Sequence, residues 1–432
     1  MKKSLSKKIS LIDKKITNGI KINFAWKKTF NMLKYNAKEN KKKKKIGVNM
    51  ELNNIEEKFL IPNAVLKEYF NVNNILEVRP YGNGHINNTF LVVFPTCTYI
   101  MQKINNNVFE NPFAVMHNID EVTNHIRKNN IYDGKDPRTT TLTIILTRYN
   151  QIMCIVDDEY WRCMRFIEEG ETFDQITDTK IFKEVAHAVG AFQKQLAGFH
   201  TRVLVDTIAH FHDTPYRYNH FKDVVKIDRM DRATLCKDEI KYVNSNKNNL
   251  DLIVKALEEK RIPRRVSHND TKVNNVLISK KTGKALCLID FDTVMKGSLL
   301  FDYGDALRLG AAIATEDETD LSKIGISFEL FKAFTNAYLE EVKDIITKEE
   351  VELLVYSYFL MTFEVGMRFL TDFIDGDTYF RLNNYDKKHR PYINLERAKN
   401  QLKLSKIIKD NEKELTKIVN ECLIKNNYEY TI

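Results

Sequence analysis

The run His268-Asn269-Asp270-Thr271-Lys272-Val273-Asn274-Asn275, followed by Leu288-Ile289-Asp290-Phe291-Asp292, decides how this chain is read. Acids, amides and a lysine crowd these positions. Brief apolar β-type runs at 266–267, 276–278 and 286–289 frame them. Phosphoryl transfer needs a carboxylate that orients and deprotonates an acceptor hydroxyl, and oxygen ligands that hold Mg²⁺ against nucleotide phosphates. Asp270 suits the first task, and Asn275 with Asp290 suits the second, because Mg²⁺ takes only one or two carboxylates from protein. Either fragment alone reads as turn formers or strand-end caps. Their order and spacing together point to chemistry.

Outward from this island the pattern divides. Upstream, residues 75–78, 89–94 and 99–103 are β-prone runs punctuated by Gly82, Gly84 and Pro95, read as antiparallel strands. A helix opened by Pro112 follows to about residue 127, and 142–146, 153–156 and 160–167 return to strand. From Thr179 the period is helical: Ile181, Val185, Val189, Phe192 and Leu196 share one face, and similar stripes recur at 240–257, 328–342 and 351–370. The expectation is an α+β fold in two lobes, with a small antiparallel sheet at 51–167 and a larger, mainly helical lobe at 168–432. Between the first strands, Tyr81-Gly82-Asn83-Gly84-His85-Ile86-Asn87-Asn88-Thr89 is either a hairpin turn or a loop whose glycines let backbone amides approach phosphate oxygens.

A His-x-Asp segment, an Asn five positions after the Asp, and an Asp ending an apolar strand about twenty residues on resemble the protein-kinase and aminoglycoside-phosphotransferase superfamily. Asp290-Phe291-Asp292 lacks the Gly that often follows in protein kinases, which favours a small-molecule acceptor. The resemblance implies a two-lobed protein-kinase-like fold with ATP and Mg²⁺ as cofactors. It places Asp270 as base and Asn275 and Asp290 as metal ligands. Lys103 would meet the α- and β-phosphates, oriented by Glu121 unless that acid is simply solvated, and Lys272 would contact phosphate. Gly82 and Gly84 would lie over the phosphates, and the backbone at 164–167, with Arg165 and Ile167, would bind adenine.

Longer strings narrow the resemblance. Tyr81 to Thr89, Tyr99 to Phe109, Phe211-His212-Asp213-Thr214-Pro215, His268 to Leu277, Ile289 to Met295 and Met361 to Asp377 are similar to the N-acetylhexosamine 1-kinase group, over about residues 73–404. That similarity implies sugar contacts at His85, Asp270, Arg368 and Tyr379. Spacing alone leaves Arg368 as an i,i+4 ion-pair partner of Glu364, Tyr379 as a packing residue and His85 as a turn residue. Asp302 and Asp305 are expected to brace the catalytic loop.

The net charge of +9 belongs to the first 50 residues, which hold 16 Lys against Asp13 and Glu39 and leave the remainder at −5. This tail is read as a disordered or non-native extension upstream of a start at Met50, a membrane-surface or polyanion-binding arm, or an organelle-targeting peptide. No nucleic acid is expected on the folded body. Six scattered cysteines without metal or redox spacing suit a reducing cytoplasm. The apolar stretch 351–374 is interrupted by Glu364, Arg368 and Asp372 and reads as a buried helix. Rival functions are a choline, ethanolamine or aminoglycoside kinase, whose cationic acceptors call for clustered acids or aromatic cages, and a pseudokinase, against which the complete set Lys103, Asp270, Asn275 and Asp290 argues.

Overall fold

The computed structural model describes residues 60–82, 86–380, 382 and 384–432. The Lys-rich tail, Gly84 and His85 lie outside the described residues. Helix α1 (Asn63–Tyr69) precedes strands β1 (Glu77–Pro80), β2 (Asn88–Val93) and β3 (Thr98–Ile104). Helix α2 (Pro112–Tyr132) follows, its start capped by the Asn111 side chain on the Ala114 amide (3.2 Å) with proline at the first turn. β4 (Ile144–Ile145), β5 (Cys154–Val156) and β6 (Glu159–Arg165) complete an antiparallel sheet in the order β1-β2-β3-β6-β4, with β5 also on β6. The expected strands are present with ends displaced by a few residues.

The register of this sheet sorts its side chains. Tyr99, Met101 and Lys103 of β3 lie opposite Arg165, Cys163 and Trp161 of β6, on the face that α1 covers. There Met101, Trp161 and Cys163 pack with Val65, Leu66, Tyr69 and Phe70 in a small separate core. Ile100, Gln102 and Ile104 lie opposite Met164, Arg162 and Tyr160 on the other face, which joins α2 and the main core. Because side chains alternate with period two, a shift of one residue changes the face completely.

The helical lobe contains α3 (Thr179–Gln195), α4 (Thr214–Ile227), α5 (Lys237–Ser245), α6 (Leu252–Glu258), α7 (Leu299–Gly310), α8 (Phe328–Val342), α9 (Leu354–Ile374), α10 (Ile393–Asp410) and α11 (Glu412–Lys425). The stripe at 240–257 is two helices rather than one. Between them the Asn-rich segment 246–249 turns the chain, with Asn249 at φ 69°, as expected of residues whose side chains compete for backbone hydrogen bonds. Helix α9 is buried nearly all round between α4, α7 and α10, which is why its sequence is so apolar. Among the described residues no helix is long and apolar enough to cross a membrane.

The β island sits within this lobe. β9 (Val276–Ser279) lies between β10 (Ala285–Leu288) and β7 (Gly170–Glu171), and β8 (Arg265–Ser267) pairs with β11 (Met295–Gly297). The turns between these strands carry the polar residues singled out above.

Candidate active site

The loop leaving β8 is held from below by one carboxylate. Asp302, wholly buried in the first turn of α7, accepts from the Ser267 hydroxyl (2.8 Å), the His268 and Asn269 amides (3.0 and 2.8 Å) and the Gln193 side chain (2.6 Å). Its own carbonyl accepts from the Thr271 hydroxyl (2.6 Å). Burial raises the Asp302 carboxyl, and His268 with these donors opposes that rise. Asn269 takes a left-handed backbone, φ 64°, which Asn tolerates, and its side chain donates to the Thr293 carbonyl (2.8 Å). His268 lies 3.0 Å through Nε2 from the Ile289 carbonyl; a carbonyl only accepts, so Nε2 carries the proton. Burial lowers the His268 pKa, so the ring stays neutral and acts as a spacer. Asp302 therefore braces the loop as expected. Asp305 does otherwise: it pairs with Arg308 (3.1 Å), which also meets Glu316 and the Gln401 side chain.

Asp270 projects half-buried from this braced loop. The Asn275 side-chain amide donates to its carbonyl (2.9 Å) and to Oδ2 (3.0 Å), and Lys272 Nζ stands 3.2 Å from Oδ1. The Asp270 carboxylate raises the Lys272 pKa, with Asp290 adding to this, so the lysine stays charged. The Ile289 amide donates to the Asn275 carbonyl (2.8 Å), which seats the end of β10 against the loop. Asp290 follows in a left-handed conformation, φ 63°. Its carboxyl is pushed up to about 7, first by its depth between the lobes and then by Asp292 and Asp270. Since Asp290 still reaches solvent, carboxylate crowding is the part of that rise that persists when water fills the cleft.

These residues fit a magnesium ion. With its NH₂ committed to Asp270, Asn275 keeps Oδ1 for a metal, and the Asp290 side chain accepts no hydrogen bond from any described residue. No group of three or more His, Cys, Asp or Glu side chains able to hold a metal occurs among the described residues.

The upper lobe departs from expectation. Lys103 points to the α1 face, away from the catalytic loop, and pairs with Glu159 (2.9 Å), not with Glu121. Glu121 makes no ion pair among the described residues. The β3 side chain on the catalytic side is Gln102, which binds Arg162, and Arg162 pairs with Asp292 in the interior (side chains 2% and 6% exposed). Arg165 also faces away, opposite Tyr99, and its backbone amide donates to the Thr143 carbonyl (2.9 Å). Ile167 follows buried, and the Phe166 ring meets Tyr81 edge-on at 5.5 Å, beside Gly82 with its φ of 76°. Replacement Lys103→Met is expected to leave the KM for ATP within about threefold, because a half-exposed ion pair contributes little. A loss of a hundredfold in steady-state assays would put Lys103 on the phosphates after all.

Arg368 and Tyr379 come together in a cleft of about 200 Å³, lined also by Arg217, His220, Asp372 and Phe380. The Arg368 guanidinium lies over Phe211, Tyr379 and Phe380 at 4.9, 5.4 and 5.7 Å and donates to the Tyr379 hydroxyl (3.3 Å). The i,i+4 pair with Glu364 does not form; Glu364 is bound by His212 (2.8 Å) and Thr214 (2.5 Å). Arg217 was missed by sequence reasoning, although it stands two residues beyond the recognised Phe211–Pro215 string. It donates through Nε to the Phe211 carbonyl (3.3 Å), and its Nη2 is buried with no partner. Burial and then the Arg368 charge pull its pKa below the ordinary value. Thr207 donates to the Asp292 carbonyl (3.3 Å), and Phe211 is four residues on, so this cleft lies within about 14 Å of chain from the metal loop.

The model of the "Phosphotransferase enzyme family" matches residues 77–324, more than half of the chain. An aminoglycoside phosphotransferase from Alicyclobacillus acidocaldarius superposes with a TM-score of 0.54 at 14% identity, over 82% of this chain and 96% of that one. A microcompartment-associated aminopropanol kinase superposes with a TM-score of 0.52 at 14% identity, over 82% and 97%. At such identity these likenesses concern the fold.

Proposed function

The chain belongs to the phosphotransferase enzyme family, and from that premise we propose that it transfers the γ-phosphoryl group of ATP to the anomeric hydroxyl of an N-acetylhexosamine. Asp270 orients that hydroxyl and takes its proton as the oxygen attacks phosphorus in line. Lys272, held beside Asp270, would meet the transferring phosphoryl oxygens. Magnesium, bound through Asn275 and Asp290, would neutralise charge on the β- and γ-phosphates.

The observation that carries the choice of acceptor is the balance of donors and acceptors around Arg368. Its neighbouring acids are already engaged: Asp372 accepts the Tyr379 and Phe380 amides (2.7 and 2.8 Å), Asp375 pairs with Arg229 (2.8 Å) and Asp377 with Arg232 (2.6 Å). Neither Arg217 nor Arg368 has a carboxylate partner among the described residues. Such a cleft supplies N–H donors and aromatic faces to hydroxyl and acetamido oxygens. It offers no spare carboxylate to the ammonium group of choline, ethanolamine or an aminoglycoside.

The test offers ATP with N-acetylglucosamine, N-acetylgalactosamine, choline, ethanolamine and an aminoglycoside, with the phosphorylated position read by phosphorus NMR. A sugar 1-phosphate is the expected product. Phosphorylation of an amine-bearing acceptor in place of the hexosamines would refute the reading. In the same assay Arg368→Met is expected to lower kcat/KM for the hexosamine by about 2 kcal/mol or more, with melting temperature and ATP affinity retained. A variant as active as wild type would remove Arg368 from the acceptor site.

A further inference from the structure

A closed ring of side chains crosses the cleft between the sheet and the metal loop. Asn87 donates through Nδ2 to Asp292 Oδ2 (2.5 Å), and Asp292 Oδ1 pairs with Arg162 Nη1. Arg162 Nε donates to Gln102 Oε1 (2.9 Å), and Gln102 Nε2 donates to the Thr89 hydroxyl (2.9 Å). Thr89 is two residues beyond Asn87 on the same limb, so the path closes. Asn87 Oδ1 also accepts the Asn105 amide (2.9 Å), and the Asn105 side chain returns to the Ile86 carbonyl (3.1 Å). The charged bond of the ring is dry, since Arg162 is 1% exposed.

The fold alone does not require this arrangement. Asn87 and Thr89 are only half-buried, so water could serve their polar atoms, and the sheet's own ladder already sets β2 against β3. What the ring adds is a link between lobes. It joins the start of β2 to a residue two positions after Asp290.

We propose that the ring is a positioning device for the nucleotide, holding the limb at Asn87–Thr89 and the Asp290 loop at a fixed separation before ATP arrives. The phosphates then enter a gap whose two sides are already set, and the cost of ordering them is not taken from binding energy. Asn87, Thr89, Gln102 and Arg162 are positioning residues in this account, and none touches the reacting atoms. The proposal rests on membership of the phosphotransferase family and is independent of which acceptor is used.

The test measures binding of MgADP to the full chain by titration calorimetry in Asn87→Ala, Thr89→Val and the double variant, with melting temperature recorded for each. Arg162 keeps Asp292 in all three, so folding is not put at risk. Asn87→Ala, which cuts the bond to Asp292, is expected to raise Kd by about tenfold, and Thr89→Val, which leaves that bond and the sheet ladder in place, by less. The double change should do no more than Asn87→Ala. Melting temperatures should match wild type. Values of Kd within twofold of wild type in both single variants, or losses that simply multiply in the double variant, would overturn the proposal. So would weakened binding that follows a lowered melting temperature.

Discussion

Asp270→Asn is expected to lower turnover by about 10²- to 10⁴-fold while binding of ATP changes little. The amide retains the size of the carboxyl group and a carbonyl oxygen for the Asn275 side chain, and it loses the proton acceptor. The loop itself should stay in place, because its anchors run to Asp302 and not to Asp270. Single-turnover measurements separate the outcomes. Phosphoryl transfer within tenfold of wild type would mean that another group accepts the proton.

The second large effect separates two carboxylates that stand two residues apart. Asp292→Ala leaves the Arg162 guanidinium buried without its partner, and breaking such a pair from one side destabilises a protein by about 3–5 kcal/mol. Asp290→Ala removes a solvent-reaching carboxyl crowded by Asp292 and Asp270, which offsets the strain of Ala at φ 63°, so stability should change little. Calorimetric melting should therefore fall only for Asp292→Ala, whereas magnesium-dependent nucleotide binding should be lost in Asp290→Ala even though that protein is folded. A melting loss in Asp290→Ala without a metal defect would show that the ligand assignments are reversed.

The catalytic loop was legible because its chemistry is local. Asp270, Lys272, Asn275 and Asp290 lie close in sequence, and a turn with a strand pair is enough to bring them together. Lys103 and Arg162 were not legible in the same way. Both are basic residues on short strands, and which of them faces the cleft depends on the parity of the β3–β6 register, with Gln102 rather than Lys103 opposite Arg162. A signal existed in the alternation of Ile100, Gln102 and Ile104, whose apolar members must face the larger core. Arg217 belongs to neither case. It is defined by what surrounds it: a buried Nη2 without a partner and the charge of an arginine more than a hundred residues away. Helices α10 and α11 went unanticipated because Lys and Glu dominate their exposed faces, leaving narrow apolar stripes against α9 and α8.

The hydrogen bonds around Asp302 divide the molecule's capacity for change. The catalytic loop is fastened to the same buried carboxylate that joins β8, α3 and α7, so a substitution that disturbs its geometry also disturbs the core and would be purged for loss of folding. The cleft at Arg217, Arg368 and Tyr379 is built from α4, α9 and the segment that follows α9, and none of its lining residues bonds to that anchor. With that cleft as the proposed acceptor site, substitutions in those helices would exchange one acceptor for another while leaving the anchor of the Asp270 loop untouched, so choice of substrate would be the property most open to change.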